Sequence, residues 1–167
     1  TGSFHPRTYK EFYAEVLALA RGLQTLGVQR GDHVGLISEN RAEWLVSDLA
    51  ILALGAADVP RGNDSMAAEL RYILGFADCK LVMVENAVQL KKLAGVLSDL
   101  KTIKTVVVLD PHFDRETLAP ATRAALKRVT LMRYAEIAES GREALAASGP
   151  APIETELAQG QPDDTAT

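Results

Sequence analysis

The chain has 167 residues, 47% hydrophobic and 24% charged, which suits one soluble domain or a large piece of one. Its formal net charge is −4 with Lys and Arg scattered along the chain, so the basic patch that nucleic-acid phosphates require is missing and nucleic acid is excluded as a partner. Cys79 is the only cysteine, which rules out an internal disulfide and suits a reducing compartment. No apolar run reaches the ~18–20 residues that span a bilayer, and TGSFHPRTYKEF at the start has no signal-peptide apolar core. A cytoplasmic location is expected, with peripheral contact at the inner face of a membrane left open.

Thr8 and Glu11 in TYKE form a capping box, each side chain satisfying an orphan backbone donor at a helix start. Phe12, Val16, Leu19, Leu23 and Leu26 follow at spacings of four and three on one helical face, and Gly27 supplies the left-handed stop. Gly31-Asp32 turns the chain into a short buried strand, HVGLIS, over 33–38. Asn40 and Glu43 predict a cap for the next helix. Its apolar residues (Trp44, Leu45, Leu49, Ile51, Leu52 and Leu54) wrap most of the circumference and predict burial on most sides. Gly55 ends that helix, and AADVP over 56–60 is the second strand.

A loop, Arg61-Gly62-Asn63-Asp64, then leads to a helix expected to be capped by Ser65, with Leu70, Ile73 and Leu74 inward. KLVMV over 80–84 is the third strand. Asn86 with Gln89 caps a helix carrying Leu90, Leu93 and Leu97. KTVVVL over 104–109 and VTLM over 129–132 are the fourth and fifth strands. Short apolar strands alternating with amphipathic helices predict an α/β fold: three layers, doubly wound, with a mainly parallel sheet. Ligands of such sheets sit beyond the carboxyl ends of the strands, so the loops at 38–40, 61–64 and 85–86 should share one rim.

From about Ser140 the large apolar residues thin out and Gly149-Pro150, Pro152 and Pro162 appear. Residues 1–139 are expected to form the α/β unit. Residues 140–167 are expected to form a covering segment or linker, with a helix ending near Ser148. The closing QPDDTAT combines turn chemistry at Pro162, Asp163 and Asp164 with a lean toward extended structure, as if a strand came next.

Motifs that carry chemistry are absent: no GxSxG, no HExxH, no CxxC, no phosphate-loop GxxxxGK, and no dinucleotide glycine fingerprint after a strand. No catalytic residue and no metal ligand is therefore assigned. His5, His33 and His112 lie far apart, Asp32-His33 reads as a turn entering a strand, Trp44 as packing and Cys79 as structural.

One run of features points further. Thr8-Tyr9 at a helix start is followed by Gly27-Val28, Gly31-Asp32, Ser38-Glu39-Asn40-Arg41 with Glu43-Trp44, then Gly55-Ala56 and Val59-Pro60. SMAAELRYILGFADCKLVMVEN over 65–86 continues in register. This pattern resembles the N-terminal region of the adenylate-forming (AMP-binding) enzymes, and within them long-chain fatty-acid–CoA ligases. The likeness covers most of residues 7–110, weakens over 111–160 and returns at QPDDTAT. In the family a Pro-Asp-Asp segment leads into a strand and a phosphate-binding loop, so the resemblance implies a fragment that stops short of that loop and is inactive alone.

The implied activity of the whole enzyme uses ATP, Mg2+ and CoA to convert a fatty acid to acyl-CoA through acyl-AMP, none of the three binding tightly to the fragment. The resemblance also implies a cofactor-facing role for Arg61, Gly62, Asn63 and Lys92. In related acetyl-CoA synthetases the corresponding loop looks toward the nucleotide end of CoA, and Arg61 could pair with a phosphate there. Many relatives carry a Tyr- or Pro-containing loop at this place, where this chain has Arg61-Gly62-Asn63-Asp64. The competing reading of these residues is a solvated turn with a surface lysine. Two rivals stand beside the fatty-acid–CoA ligase: another acyl, aryl or carrier-protein-loading ligase, and an autonomous α/β binding domain. Open sheet edges leave room for a homodimer.

Overall fold

In the computed structural model, which describes residues 6–167, each predicted strand forms and all pair in parallel. The elements are α1 (Tyr9–Thr25), β1 (His33–Ile37), α2 (Ala42–Ala53), β2 (Ala57–Arg61), α3 (Ala67–Phe76), β3 (Leu81–Val84), α4 (Ala87–Ala94), β4 (Thr105–Val108), α5 (Pro120–Leu126), β5 (Thr130–Arg133), α6 (Tyr134–Ser148) and α7 (Ala151–Ala158). Strand order is β2-β1-β3-β4-β5. Ile37 pairs with both Arg61 and Val84, Val84 with Val108, and Val108 with Arg133, so all five strands end in line.

Strand alternation divides the apolar residues between two cores. Val34, Leu36, Leu81, Met83 and Val107 face a cluster with α1, α2, α6 and α7. Ile37, Val82, Val84, Val106 and Val108 face the other, with α3, α4 and α5. The chain leaves β1 in one direction to reach β2, and reverses afterwards to reach β3, β4 and β5. Right-handed crossovers then put α2 on one face and α3, α4 and α5 on the other. The reversal makes the gap between the carboxyl ends of β1 and β3 the topological switch point, where open α/β sheets hold ligands.

The cap of α1 is as predicted: Thr8 Oγ1 accepts from the Glu11 N–H at 3.2 Å and Glu11 Oε2 accepts from the Thr8 N–H at 2.7 Å. Asn86 Oδ1 likewise accepts from Val88 and Gln89 N–H groups at 2.9 and 3.2 Å, but the Gln89 side chain turns to the Asn63 carbonyl and takes no part in the cap. Two other caps differ. Helix α2 starts after Arg41, which makes no side-chain cap and instead turns its guanidinium to Glu43 at 2.8 Å. Helix α3 starts after Met66, whose N–H is held by Glu69 at 2.7 Å, while the Ser65 carbonyl is drawn to Lys92. Burial of α2 is also one-sided at its start, for Leu45 is 45% exposed.

Position 140 falls inside α6, so the change of character near Ser140 marks no element boundary. Small residues there serve close packing. Gly141 and Gly22 let the backbones of α6 and α1 cross almost in contact. Helix α6 ends at Ser148 on Gly149 at φ +69°, and α7 covers the α1/α2 side through the buried Ile153. Arg30 ties down α7 and the segment after it: it donates to the Glu156 carbonyl at 2.6 Å and pairs with Asp164 at 2.8 Å. The Asp58 N–H on the outer edge of β2 donates to the Ala166 carbonyl at 3.1 Å. No helix among the described residues is long and apolar enough to cross a membrane.

Asp58 is buried, and burial, then the nearby Asp48 carboxylate, push its carboxyl above the usual range, although a hydrogen bond from Thr167 opposes the shift. A raised folded-state value favours the protonated fold. The contribution is full below about pH 4 and is lost as pH rises through the folded value. Asp58→Asn, which keeps an oxygen for Thr167, is expected to match the parent in urea unfolding near pH 3 and to exceed it increasingly toward pH 7. An advantage that shrinks as pH rises would contradict this assignment.

Candidate functional site

The three rim loops do converge at the carboxyl ends of β1, β2 and β3. The Ser38 N–H donates to the Arg61 carbonyl at 3.0 Å and the Glu85 N–H to the Ile37 carbonyl at 2.8 Å, extending the strand pairing into the loops. Glu85, directly after the buried run Leu81–Val84, is the hub. Its Oε2 accepts from the Glu39 N–H at 2.8 Å, the Asn63 side-chain amide at 2.7 Å and the Ser38 hydroxyl at 3.3 Å. Its Oε1 accepts from the Asn86 side-chain amide at 3.0 Å. Burial pushes the Glu85 carboxyl up, but these donors and the charge of Arg41 outweigh it and hold it below the usual value.

Of the four residues singled out in sequence, Asn63 and Lys92 meet. The Lys92 ammonium donates to the main-chain carbonyls of Asn63 at 2.6 Å and Ser65 at 2.8 Å. The Asn63 N–H donates to Glu39 at 3.1 Å, and Gln89, buried at the start of α4, reaches the same Asn63 carbonyl at 3.4 Å. At Gly62 an added Cβ would lie 2.8 Å from the Asp64 carboxylate, so the loop turns tightly there. Arg61, the last residue of β2, is exposed; its guanidinium contacts its neighbour's carbonyl, that of Pro60, at 3.1 Å. Arg61 is thus the cation of this set able to meet an incoming anion, whereas Lys92 is occupied by the loop itself. Glu39, Glu85 and Gln89 carry no site assignment from the sequence, where they read as motif, rim-loop and cap residues. A carboxylate placed immediately after a fully apolar strand was the available signal.

Other candidates have structural roles. Asp32 accepts from Lys80 at 2.7 Å and from the Gln29 N–H at 3.1 Å at the opposite, amino-terminal end of the sheet, beside His33. Trp44 packs on the first core. Burial pushes the Cys79 thiol up to about 12, so it is held as an unreactive thiol. His5 lies outside the described residues. Among the described residues no group of His, Cys, Asp and Glu could hold a metal ion. A polar pocket of ≈ 340 Å³ lies at the carboxyl ends of β4 and β5, lined by Asp114, Arg115, Arg133 and Glu136 among others. Its cations are already engaged, Glu136 lying 2.6 Å from Arg115 and 3.1 Å from Arg133.

An open, doubly wound parallel sheet with a hydrogen-bonded rim at its switch point defines an α/β unit of the class that holds ligands at that point. The sequence profile of the AMP-binding enzymes matches residues 3–167, and the chain belongs to that family. It is 30% identical over 139 residues to a chloroplastic long-chain-fatty-acid–acyl-carrier-protein ligase of Arabidopsis thaliana, covering 83% of this chain and 18% of that protein. It is 34% identical over 119 residues to the long-chain-fatty-acid–CoA ligase FadD15 of Mycobacterium tuberculosis, covering 69% of this chain and 20% of that one. The A domain of carboxylic acid reductase from Segniliparus rugosus, solved with AMP and a carboxylic acid, shares the fold at a TM-score of 0.74. The identity there is 20%, over 84% of this chain and 24% of that one. The chain spans about a fifth of the length of the curated relatives it matches.

Proposed function

We propose that this chain is the N-terminal scaffold of a ligase that activates a long-chain fatty acid with ATP and passes the acyl group to a thiol. The observation that carries this reading is its similarity to two ligases named for long-chain fatty acids. The fatty carboxylate attacks the α-phosphorus of ATP, releasing pyrophosphate and giving acyl-AMP. The thiol then attacks the acyl carbon, AMP leaves, and a thioester remains. Mg2+ and further cationic groups would stabilise the phosphate charge. The described residues contribute one wall of the cleft, with Arg61 at the switch-point rim as the candidate partner of a CoA phosphate.

A second reading has its own support, because one of the two relatives is named for acyl-carrier protein instead of CoA. Both acceptors present a thiol, but only CoA brings a nucleotide phosphate to the rim. In the enzyme that carries this chain, Arg61→Ala is expected to raise KM for CoA by about tenfold, the scale of one lost charge-assisted contact. Acyl-AMP formation, followed by pyrophosphate exchange, should stay at the parent rate. Unchanged CoA kinetics would remove Arg61 from the site. Thioester formed only on a carrier protein would replace CoA as the acceptor.

A further inference from the structure

The β2–α3 loop (residues 62–66) is gripped from two sides by groups of opposite charge. On one side the Glu85 carboxylate holds the Asn63 side-chain amide at 2.7 Å and, through the Glu39 N–H at 2.8 Å, the segment whose carboxylate takes the Asn63 N–H at 3.1 Å. On the other side the Lys92 ammonium gathers the Asn63 and Ser65 carbonyls at 2.6 and 2.8 Å, using two of its three N–H donors. Lys92 stands on α4, whose Leu90 and Leu93 are fully buried, so the grip is anchored in the core. Two buried acceptors in the same junction, Asn63 Oδ1 and Gln89 Oε1, have no protein donor. The same chain gathers carbonyls with a cation elsewhere: Arg128 binds those of Leu97, Leu100 and Ile103.

We propose that Glu85 and Lys92 are positioning residues that clip this loop from both sides and so fix the base from which Arg61 projects, with Lys92 serving main-chain carbonyls and not a bound phosphate. The clip stands on these hydrogen bonds alone; its consequence for CoA rests on the reading that Arg61 meets the nucleotide phosphate. An Arg in place of Lys92 can still bridge two carbonyls, whereas a Met of similar length cannot.

Amide hydrogen exchange on the 167-residue chain, resolved by NMR, tests the clip. Lys92→Met and Glu85→Gln should each speed exchange of the Asn63 and Ser65 amides by about tenfold or more, while the amides of β1 and β3 keep their rates. Lys92→Arg should restore the loop to within about twofold of the parent. Loop exchange unchanged in Lys92→Met overturns the proposal. Should Lys92→Met fail to fold, Lys92→Leu, which also lacks a donor, is held to the same criterion. The KM for CoA of Arg61→Ala in the enzyme that carries this chain tests the other reading. No shift there removes the nucleotide assignment and leaves the clip standing. Weaker CoA binding in Lys92→Met with unaltered loop exchange would make Lys92 a direct ligand and overturn its positioning role.

Discussion

Gly141→Ala is expected to destabilise the fold by about 3 kcal/mol or more, beyond the ordinary cost of one added methyl in a packed core. A Cβ built at Gly141 would lie 1.7 Å from the Ala18 carbonyl oxygen and 2.7 Å from the Gly22 nitrogen, all backbone atoms that no rotamer change can move. Gly22 is in the reciprocal position, its Cβ 2.2 Å from the Ile137 carbonyl oxygen. Either substitution must push α6 off α1, and with it the cover over Leu19, Leu23 and Ile137, which are buried. Urea unfolding should show the loss directly, and the melting temperature should fall by about 10 °C. Gly75→Ala supplies the contrast. It sits inside α3, where the new methyl would make only an ordinary contact of 3.4 Å with Leu100. There the better helix former should stabilise by about 0.5–1 kcal/mol. Equal losses at both positions would mean that the helices do not cross as closely as described.

Leu74→Ala is expected to cost about 3–5 kcal/mol, the upper part of the range for buried leucines. Leu74 is fully buried over β1 and fills the space a side chain would need at Gly35, whose Cβ would lie 2.6 Å from Leu74 Cδ2. The cavity left by the leucine therefore has no side chain below it to relax inward. Gly35→Ala alone should also destabilise, since it meets Leu74 and, at 3.2 Å, Val82. Combined, the two changes should lose less than the sum of the singles by more than about 1 kcal/mol, because the new methyl occupies space the leucine vacates. Simple additivity in this double-mutant cycle would show that the two residues do not share that space.

Rim and core differ in how far they could be foreseen. The resemblance implies a cofactor-facing role for Asn63 and Lys92. Their bond to one another joins residues 29 apart, and no local pattern carries it. Glu85 reads in the sequence only as part of a rim loop; its role as hub depends on Ser38, Glu39 and Asn63 arriving from two other strands. The Ser65 cap differs for the same reason, since at α3 the Ser65 segment is held by a bond to another helix. At α2 the difference is local, the cap position falling one residue later on Arg41 with its guanidinium on Glu43.

The amino-acid sequence by itself determined the five strands and the helices α1 to α4, though not α5 or α7, along with the parallel doubly wound sheet, the Thr8–Glu11 and Asn86 caps and the resemblance to AMP-binding enzymes. Those features rest on side-chain periodicity, hydrogen bonds within one helical turn, and short residue runs in register. Only the tertiary structure decided which cation holds a loop and which stays exposed, where α1 and α6 touch through Gly22 and Gly141, and how Arg30 reaches Asp164 across 134 residues. Each is a contact between distant segments, created when two apolar faces of one sheet are buried and their covering helices are forced into neighbouring positions.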